Sequence, residues 1–186
     1  MTWLDRYGQR LRLKKTRPYI RPGARVLDIG CGDGALFRSL DAAISSGVGI
    51  DPDALDSDDG RFRFVRGYYP NDYEHVGDLF DAIVGLAVLE HLTADQQSAM
   101  AAACFRHLKP QGRLVLTVPS RLVDPILHIV QRIGLGDRDT MHLEEHHGFH
   151  AGDTGPLFEA AGFTLAARRH FELFLNNVFA FTKGAR

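Results

Sequence analysis

Val26-Leu27-Asp28-Ile29-Gly30-Cys31-Gly32-Asp33-Gly34 decides how this chain is read. Val26, Leu27 and Ile29 form a short apolar run of the kind that fills a buried parallel strand. Gly30, Gly32 and Gly34 then stand at alternate positions, where backbone must turn sharply or approach a ligand closely. Ala35-Leu36-Phe37-Arg38-Ser39-Leu40 reads as a helix. Strand, glycine turn and helix make the entry of a nucleotide-binding α/β unit, with free N–H groups at the helix start. Gly30-x-Gly32-x-x-Ala35 also fits a dinucleotide fingerprint. Asp28 is the sharper feature. A carboxylate at the strand tip repels a phosphate and welcomes a cation.

The second strand, Gly47-Val48-Gly49-Ile50, ends at Asp51. The step from Asp28 to Asp51 has the length of one strand–helix–strand unit. A carboxylate at this tip is placed to accept both hydroxyls of a ribose. Pro52 and Asp53 follow at the expected adenine edge. Asp53, Asp56, Asp58 and Asp59 read as a solvated loop, because they lack the glycine and terminal glutamate of a calcium loop. Arg61 to Arg66 alternates as a third strand, and Gly67-Tyr68-Tyr69-Pro70-Asn71-Asp72 follows it. Phe80 to Gly85 is a fourth, buried strand, running into Leu86-Ala87-Val88-Leu89-Glu90-His91. Thr93 caps a helix to about His107. Leu108 to Ser120 gives a turn and a fifth strand, Thr154 to Ala161 a last helix, and 163–171 and 173–183 two closing strands.

A chain of 186 residues, 45% hydrophobic, can fill one α/β core. Its formal net charge of −1 gives no global field for nucleic acid. Cys31 and Cys104 are too few for a disulfide framework, Arg6, Arg10 and Arg12 interrupt any signal peptide, and no stretch reaches transmembrane length. The expectation is a cytoplasmic protein. Residues 2–20 read as a helix with Leu4, Tyr7 and Leu11 on one face. Its run of Arg and Lys is either a solvated face or a contact with an anionic substrate or membrane surface.

Asp28-x-Gly30-x-Gly32-x-Gly34 resembles motif I of the class I S-adenosylmethionine-dependent methyltransferases. The phrase Leu108-Lys109-Pro110-Gln111-Gly112-Arg113 and the segment ending in Glu90-His91 resemble the same family, notably its ubiquinone-biosynthesis members. The resemblance implies a three-layer, Rossmann-like sheet of seven mostly parallel strands, the last antiparallel, with helices on both faces. It implies one domain over 1–186, with 1–22 an N-terminal helix and 121–148 a substrate lid. S-adenosyl-L-methionine would be held by Asp28, Gly30, Cys31, Gly32, Asp51, Pro52 and Leu86. Many members carry an acid directly after the glycine at the third strand tip; here Tyr68 stands there, with Asp72 beyond it. Some quinone enzymes bind a metal through Glu-x-x-Glu-His, but Ala87 occupies the first position, so no metal is expected. His91 is either a general base or a pocket-shaping residue, and His150 joins it as a catalytic candidate. His142 and His146 have the spacing of a zinc pair without a third ligand. The acceptor would be a small molecule or lipid-like. A nicotinamide oxidoreductase and a non-catalytic cofactor-binding protein are the alternatives.

Overall fold

The chain begins the sheet in its centre, builds toward one edge, then returns to build the other. In the computed structural model, which describes residues 3–73, 75, 77–120, 150–171 and 175–185, helix α1 (Trp3–Thr16) precedes strand β1 (Ala24–Ile29). There follow α2 (Ala35–Leu40), β2 (Ile44–Asp51), β3 (Ser57–Asp58), β4 (Phe62–Arg66) and β5 (Phe80–Leu86). Helix α3 (Ala94–His107), β6 (Leu108–Pro119), α4 (Thr154–Ala160), β7 (Thr164–Phe171) and β8 (Asn176–Thr182) complete it. The sheet order is β3-β4-β2-β1-β5-β6-β8-β7. β4, β2, β1, β5 and β6 run parallel, while β8 lies antiparallel between β6 and β7. The order reverses between β1 and β5, and ligands of open α/β sheets bind outside the strand tips at such a reversal.

Seven of these strands are the expected ones. The eighth, β3, corrects the count and falls where a loop was expected. Ser57 and Asp58 pair antiparallel with Phe64 and Arg63. The surrounding aspartates stay exposed but accept backbone N–H bonds: Asp56 from Arg66, Asp58 from Gly60, and Asp59 from Arg61 and Phe62. Those bonds close a hairpin that the alternation of apolar residues does not reveal.

Strand alternation sorts the core into two layers. Val26, Ala82 and Val84 face Leu36, Phe37 and Leu40 of α2, with Leu13 of α1 against them. Leu27, Ile29 and Ile83 face Met100, Ala103 and Cys104 of α3 and Phe158 of α4. Helices therefore cover both faces. α2 lies close because β2 is glycine-rich: a Cβ at Gly47 would stand 2.5 Å from the Phe37 ring. α3 carries a complete capping box, with Thr93 and Gln96 exchanging bonds. At its other end Lys183 donates to the carbonyls of Phe105 and Leu108, satisfying groups the helix leaves open.

α1 ends at Thr16 and continues as a 3-10 turn, Arg17–Tyr19. Of the face expected from Leu4, Tyr7 and Leu11, Leu11 packs on the core while Tyr7 is 57% exposed; the side chain of Leu4 lies outside the described residues. The helix packs through Gly8, Arg12 and Thr16, spaced by four, with Leu11 and Leu13 beside them. Small residues at Gly8 and Thr16 let the helix approach the sheet.

Candidate donor site at the strand tips

The turn after β1 is built from backbone conformations that favour glycine. Gly30, Gly32 and Gly34 have φ of 72°, 49° and 76°. Gly30 donates to the Ile50 carbonyl at 2.9 Å, which ties the turn to the tip of β2. A Cβ at Gly30 would come within 2.5 Å of Val88, whereas a Cβ at Gly32 would meet nothing within 4 Å. Where a side chain would leave Gly30 the space is filled by Val88, and where one would leave Gly32 it is open.

Asp51 clamps this turn. One carboxylate oxygen accepts the Gly32 N–H at 2.9 Å and the other accepts the Asp53 N–H at 2.9 Å. Each oxygen keeps a second lone pair for an incoming hydroxyl. The expected ribose acid is therefore already oriented. Pro52, next along, gives its carbonyl to the Arg66 guanidinium at 3.2 Å.

Asp28 is 3% exposed at the tip of β1. Burial first, and the neighbouring Asp51 charge second, hold its carboxyl well above the usual carboxylate range. The other shifted carboxylates among the described residues behave oppositely. Burial acts on Asp78 too, but the Tyr73 hydroxyl and Arg25 pull it below its ordinary value. Burial likewise acts on Asp81, outweighed by the Arg25 N–H and Lys109. Asp28 is a buried acid whose charge the protein itself does not offset.

A cavity of about 70 Å³ lies against it, lined by Gln9, Arg12, Asp28, Gly30, Leu36 and Leu86, with Leu13, Cys31 and Ala35 completing the wall. Asp28, Gly30, Cys31 and Leu86, four of the residues expected to bind cofactor, thus share one space. Cys31 contributes its backbone and bulk rather than reactivity. Its thiol is buried against Gly49, and burial together with Asp28 and Asp51 pushes it up to about 12. A thiol so far above neutrality is not a nucleophile.

Arg12 is the residue that sequence reading missed. Its Nε is buried with no hydrogen-bond partner. A guanidinium with an open donor in a cavity beside an uncompensated carboxylate fits a ligand carrying both charges. The available signal was the four-residue spacing of Gly8, Arg12 and Thr16, opposite the stripe Arg6, Arg10 and Lys14. The run of cations around Arg12 concealed it.

The tip of β5 leads into an unusual turn. Ala87, at the tip of β5, has φ of 56°, and its N–H bonds to the Thr117 carbonyl at 3.0 Å and hydroxyl at 3.1 Å. Left-handed backbone at a non-glycine residue is costly and concentrates at functional turns. It is followed by a 3-10 turn, Leu89–His91, in which Glu90 is buried and His91 exposed. Glu90 thus belongs to the interior and His91 to the surface. His150 is half-buried before α4, its carbonyl taking the Asp153 N–H at 2.8 Å. Neither histidine lines the Asp28 cavity. Among the described residues no three His, Cys, Asp or Glu side chains cluster as a metal site. The segment 121–148, expected to be a lid, and the pair His142/His146 lie outside the described residues.

At the third strand tip, Tyr68 is 63% exposed, and Asp72 accepts its backbone N–H at 2.7 Å. Asp72 thus folds back against Gly67, filling the space that a side chain there would need.

Residues 4–168 match the methyltransferase domain family. The chain belongs to that family. A probable S-adenosylmethionine-dependent methyltransferase of Mycolicibacterium smegmatis is 30% identical over 163 residues, covering 80% of this chain and 60% of the relative. A ubiquinone biosynthesis O-methyltransferase of Bradyrhizobium is 28% identical over 148 residues, covering 64% and 58%. The chain thus spans about three-fifths of the length of these curated relatives. The fold matches that of a Burkholderia thailandensis 1,6-didemethyltoxoflavin-N1-methyltransferase, at TM-score 0.69 and 20% identity, over 98% of this chain and 80% of that one. It also matches a magnesium protoporphyrin IX methyltransferase of Synechocystis, at TM-score 0.69 and 18% identity, over 99% and 89%. In this member of the family, α1 and the tips of β1, β2 and β5 build the candidate donor site.

Proposed function

We propose that this methyltransferase transfers a methyl group from S-adenosyl-L-methionine to a small-molecule or lipid-like acceptor. The observation that carries the donor assignment is the pairing of Asp28 and Arg12 around one cavity, with Asp51 oriented at the next strand tip. Asp28 would take the ammonium of the methionine end and Arg12 its carboxylate. Gly30, Gly32 and Cys31 would supply backbone along it, with Leu86 packing on the chain. Asp51 would accept the ribose hydroxyls, and Pro52 would border the adenine. A dinucleotide would set its pyrophosphate against Asp28, which disfavours the oxidoreductase reading. When bound, the donor supplies a methyl group activated by a sulfonium. The residues named here hold it in line and keep water out.

The acceptor is proposed to approach across the tips of β5 and β6, past Ala87, His91 and His150. Residues 121–148 are proposed to cover it. His91 or His150 serves as general base where the acceptor is a weak acid. We place the reaction in the cytoplasm, within one domain spanning the chain and without nucleic acid as partner.

The test is a thermal-shift panel of S-adenosylmethionine, S-adenosylhomocysteine, NAD and ATP. The sulfur nucleosides should raise the melting temperature with dose, by mass action on the folded state, and NAD should not. A shift with NAD and none with either sulfur nucleoside would overturn the proposal.

A further inference from the structure

α1 has two faces of opposite purpose. Arg12 and Gln9 turn inward to the donor cavity. The opposite face carries Arg6, Tyr7, Arg10, Lys14 and, in the following turn, Arg17, all exposed. These positions fall within about a third of the helix circumference, since each residue advances roughly 100°. Lys15 and Arg21 are also exposed, and no acidic residue occurs from position 6 to 23. Every charged residue of this stretch is therefore a cation, although the whole chain is nearly neutral.

The stripe runs into a groove of about 420 Å³ at the far end of α1. Lys14 and Arg17 form part of its rim, and Pro18, Ile20, Leu40 and Ile44 are among the apolar residues that line it. The acid beside it, Asp41, is already paired with Arg61 at 3.3 Å. Cations on the rim of an apolar recess, with an exposed tyrosine along the same face, fit an anionic phospholipid, its headgroup on the cations and the adjoining part of its hydrocarbon against the recess. A nucleic-acid backbone would use the charges but leave the apolar groove unmatched.

We propose that the outer face of α1 docks this protein on anionic phospholipid bilayers. Arg6, Arg10, Lys14 and Arg17 meet the headgroups, Tyr7 sits at their level, and the groove takes the apolar part of the contact. Docking through this flank requires no membrane-spanning segment, and no described helix is long and apolar enough to be one. It is independent of which acceptor is methylated.

The experiment is flotation of the full chain with vesicles of phosphatidylcholine alone and of phosphatidylcholine mixed with phosphatidylglycerol, with a duplex DNA binding assay run in parallel. The protein should float with the anionic vesicles only. Raising NaCl from about 0.1 to about 0.5 M should release it, because that shortens the screening length well below the reach of the patch. Each basic residue near such a surface is worth about fivefold in partition. The variant R6Q/R10Q/K14Q/R17Q should therefore lose on the order of a hundredfold or more. Its fold is checked by circular dichroism and by the S-adenosylhomocysteine thermal shift, which should persist because none of the four lines the donor cavity. If that variant does not fold, the pairs R6Q/R10Q and K14Q/R17Q should each lose roughly twentyfold. Absence of binding to anionic vesicles, equal binding by a folded variant, or tighter binding to the DNA than to the vesicles would overturn the proposal. These readouts are separate from the donor panel, so loss of either reading leaves the other testable.

Discussion

Asp28→Asn should make the free protein more stable and its donor complex weaker. The free Asp28 carboxyl is held above its usual range by burial and by Asp51. A raised folded-state pKa means that the stability linked to this group is full below its unfolded value and is lost as pH rises through the folded one. Above the unfolded value the wild type therefore bears the cost of this raised pKa, and asparagine, which does not titrate, removes it. The variant's advantage should shrink toward low pH, where Asp28 is protonated. A bound ammonium reverses the balance, since it favours the ionised form and Asn cannot replace that charge. A charge-assisted hydrogen bond is worth about 1.5–3 kcal/mol, which is about a ten- to hundredfold loss of affinity. With S-adenosylhomocysteine at about a hundred times the wild-type Kd, ligand stabilises the wild type by about 2.7 kcal/mol. The same concentration stabilises the variant by about 0.4–1.4 kcal/mol. At about 2–4 °C per kcal/mol for a chain of this size, the shift falls from about 5–11 °C to about 1–6 °C. Thermal melts with and without ligand between about pH 5 and pH 8 measure both arms. An unchanged ligand shift would remove Asp28 from the site. A variant less stable than wild type at pH 8 would refute the claim that its charge is uncompensated.

Arg12→Ala should weaken S-adenosylhomocysteine about tenfold or more and leave methylthioadenosine, which lacks the amino-acid end, unaffected; calorimetry with both ligands separates a carboxylate contact from general damage. Asp51→Ala should cost at least about tenfold in donor affinity with the fold retained, read by calorimetry and circular dichroism. Gly32→Ala should lower stability by only about 1–2 kcal/mol, the left-handed backbone cost, yet lose ligand binding; Gly30→Ala should be worse for stability, because Val88 stands in the way. Chemical denaturation orders the two, and equal stability losses would contradict the packing. Once an acceptor is identified, His91→Ala or His150→Ala should cost about a hundredfold in kcat and alter the pH profile if that residue is the base; a change confined to KM assigns it to pocket shape.

The sheet was legible wherever apolar runs end at a distinctive residue. Val26–Ile29 before the glycines, Val48–Ile50 before Asp51 and Phe80–Gly85 before Leu86 all became parallel strands with their tips side by side. The Thr93 cap was equally plain, because a Thr with Gln three residues later satisfies both orphan donors. The β3 hairpin was hidden because it is held by aspartates accepting backbone N–H groups, with no apolar pattern to mark it. The inner face of α1 was hidden for a different reason. Leu4, Tyr7 and Leu11 suggested an apolar side, but Tyr7 is exposed, and the side that packs joins Leu11 to Gly8 and Thr16 and places a charged residue, Arg12, at the cavity.

Charge satisfaction gives the strongest reason to treat the β1 tip as a binding site. Asp78 is buried to a degree, yet it accepts from Tyr73 at 2.6 Å and Arg25 at 2.8 Å. Asp81 accepts from the Arg25 N–H at 2.8 Å and from Lys109 at 2.9 Å. These acids hold β1, β5 and β6 together at their starts, and their partners come from the protein. Asp28 sits on the same β1 strand, a few residues on, at the opposite end of the sheet. It is more deeply buried and has another acid as its nearest electrostatic influence. Folding alone gives no return for such an arrangement, since burying an uncompensated carboxyl costs stability. Arg12 repeats the pattern with opposite sign, its Nε buried and unmet. An open acid and a guanidinium with an open Nε line one cavity beside the clamped Asp51, and this is the arrangement on which the proposed donor site rests. The amino-acid end of the proposed donor carries that pair of charges, and its nucleoside carries the hydroxyls.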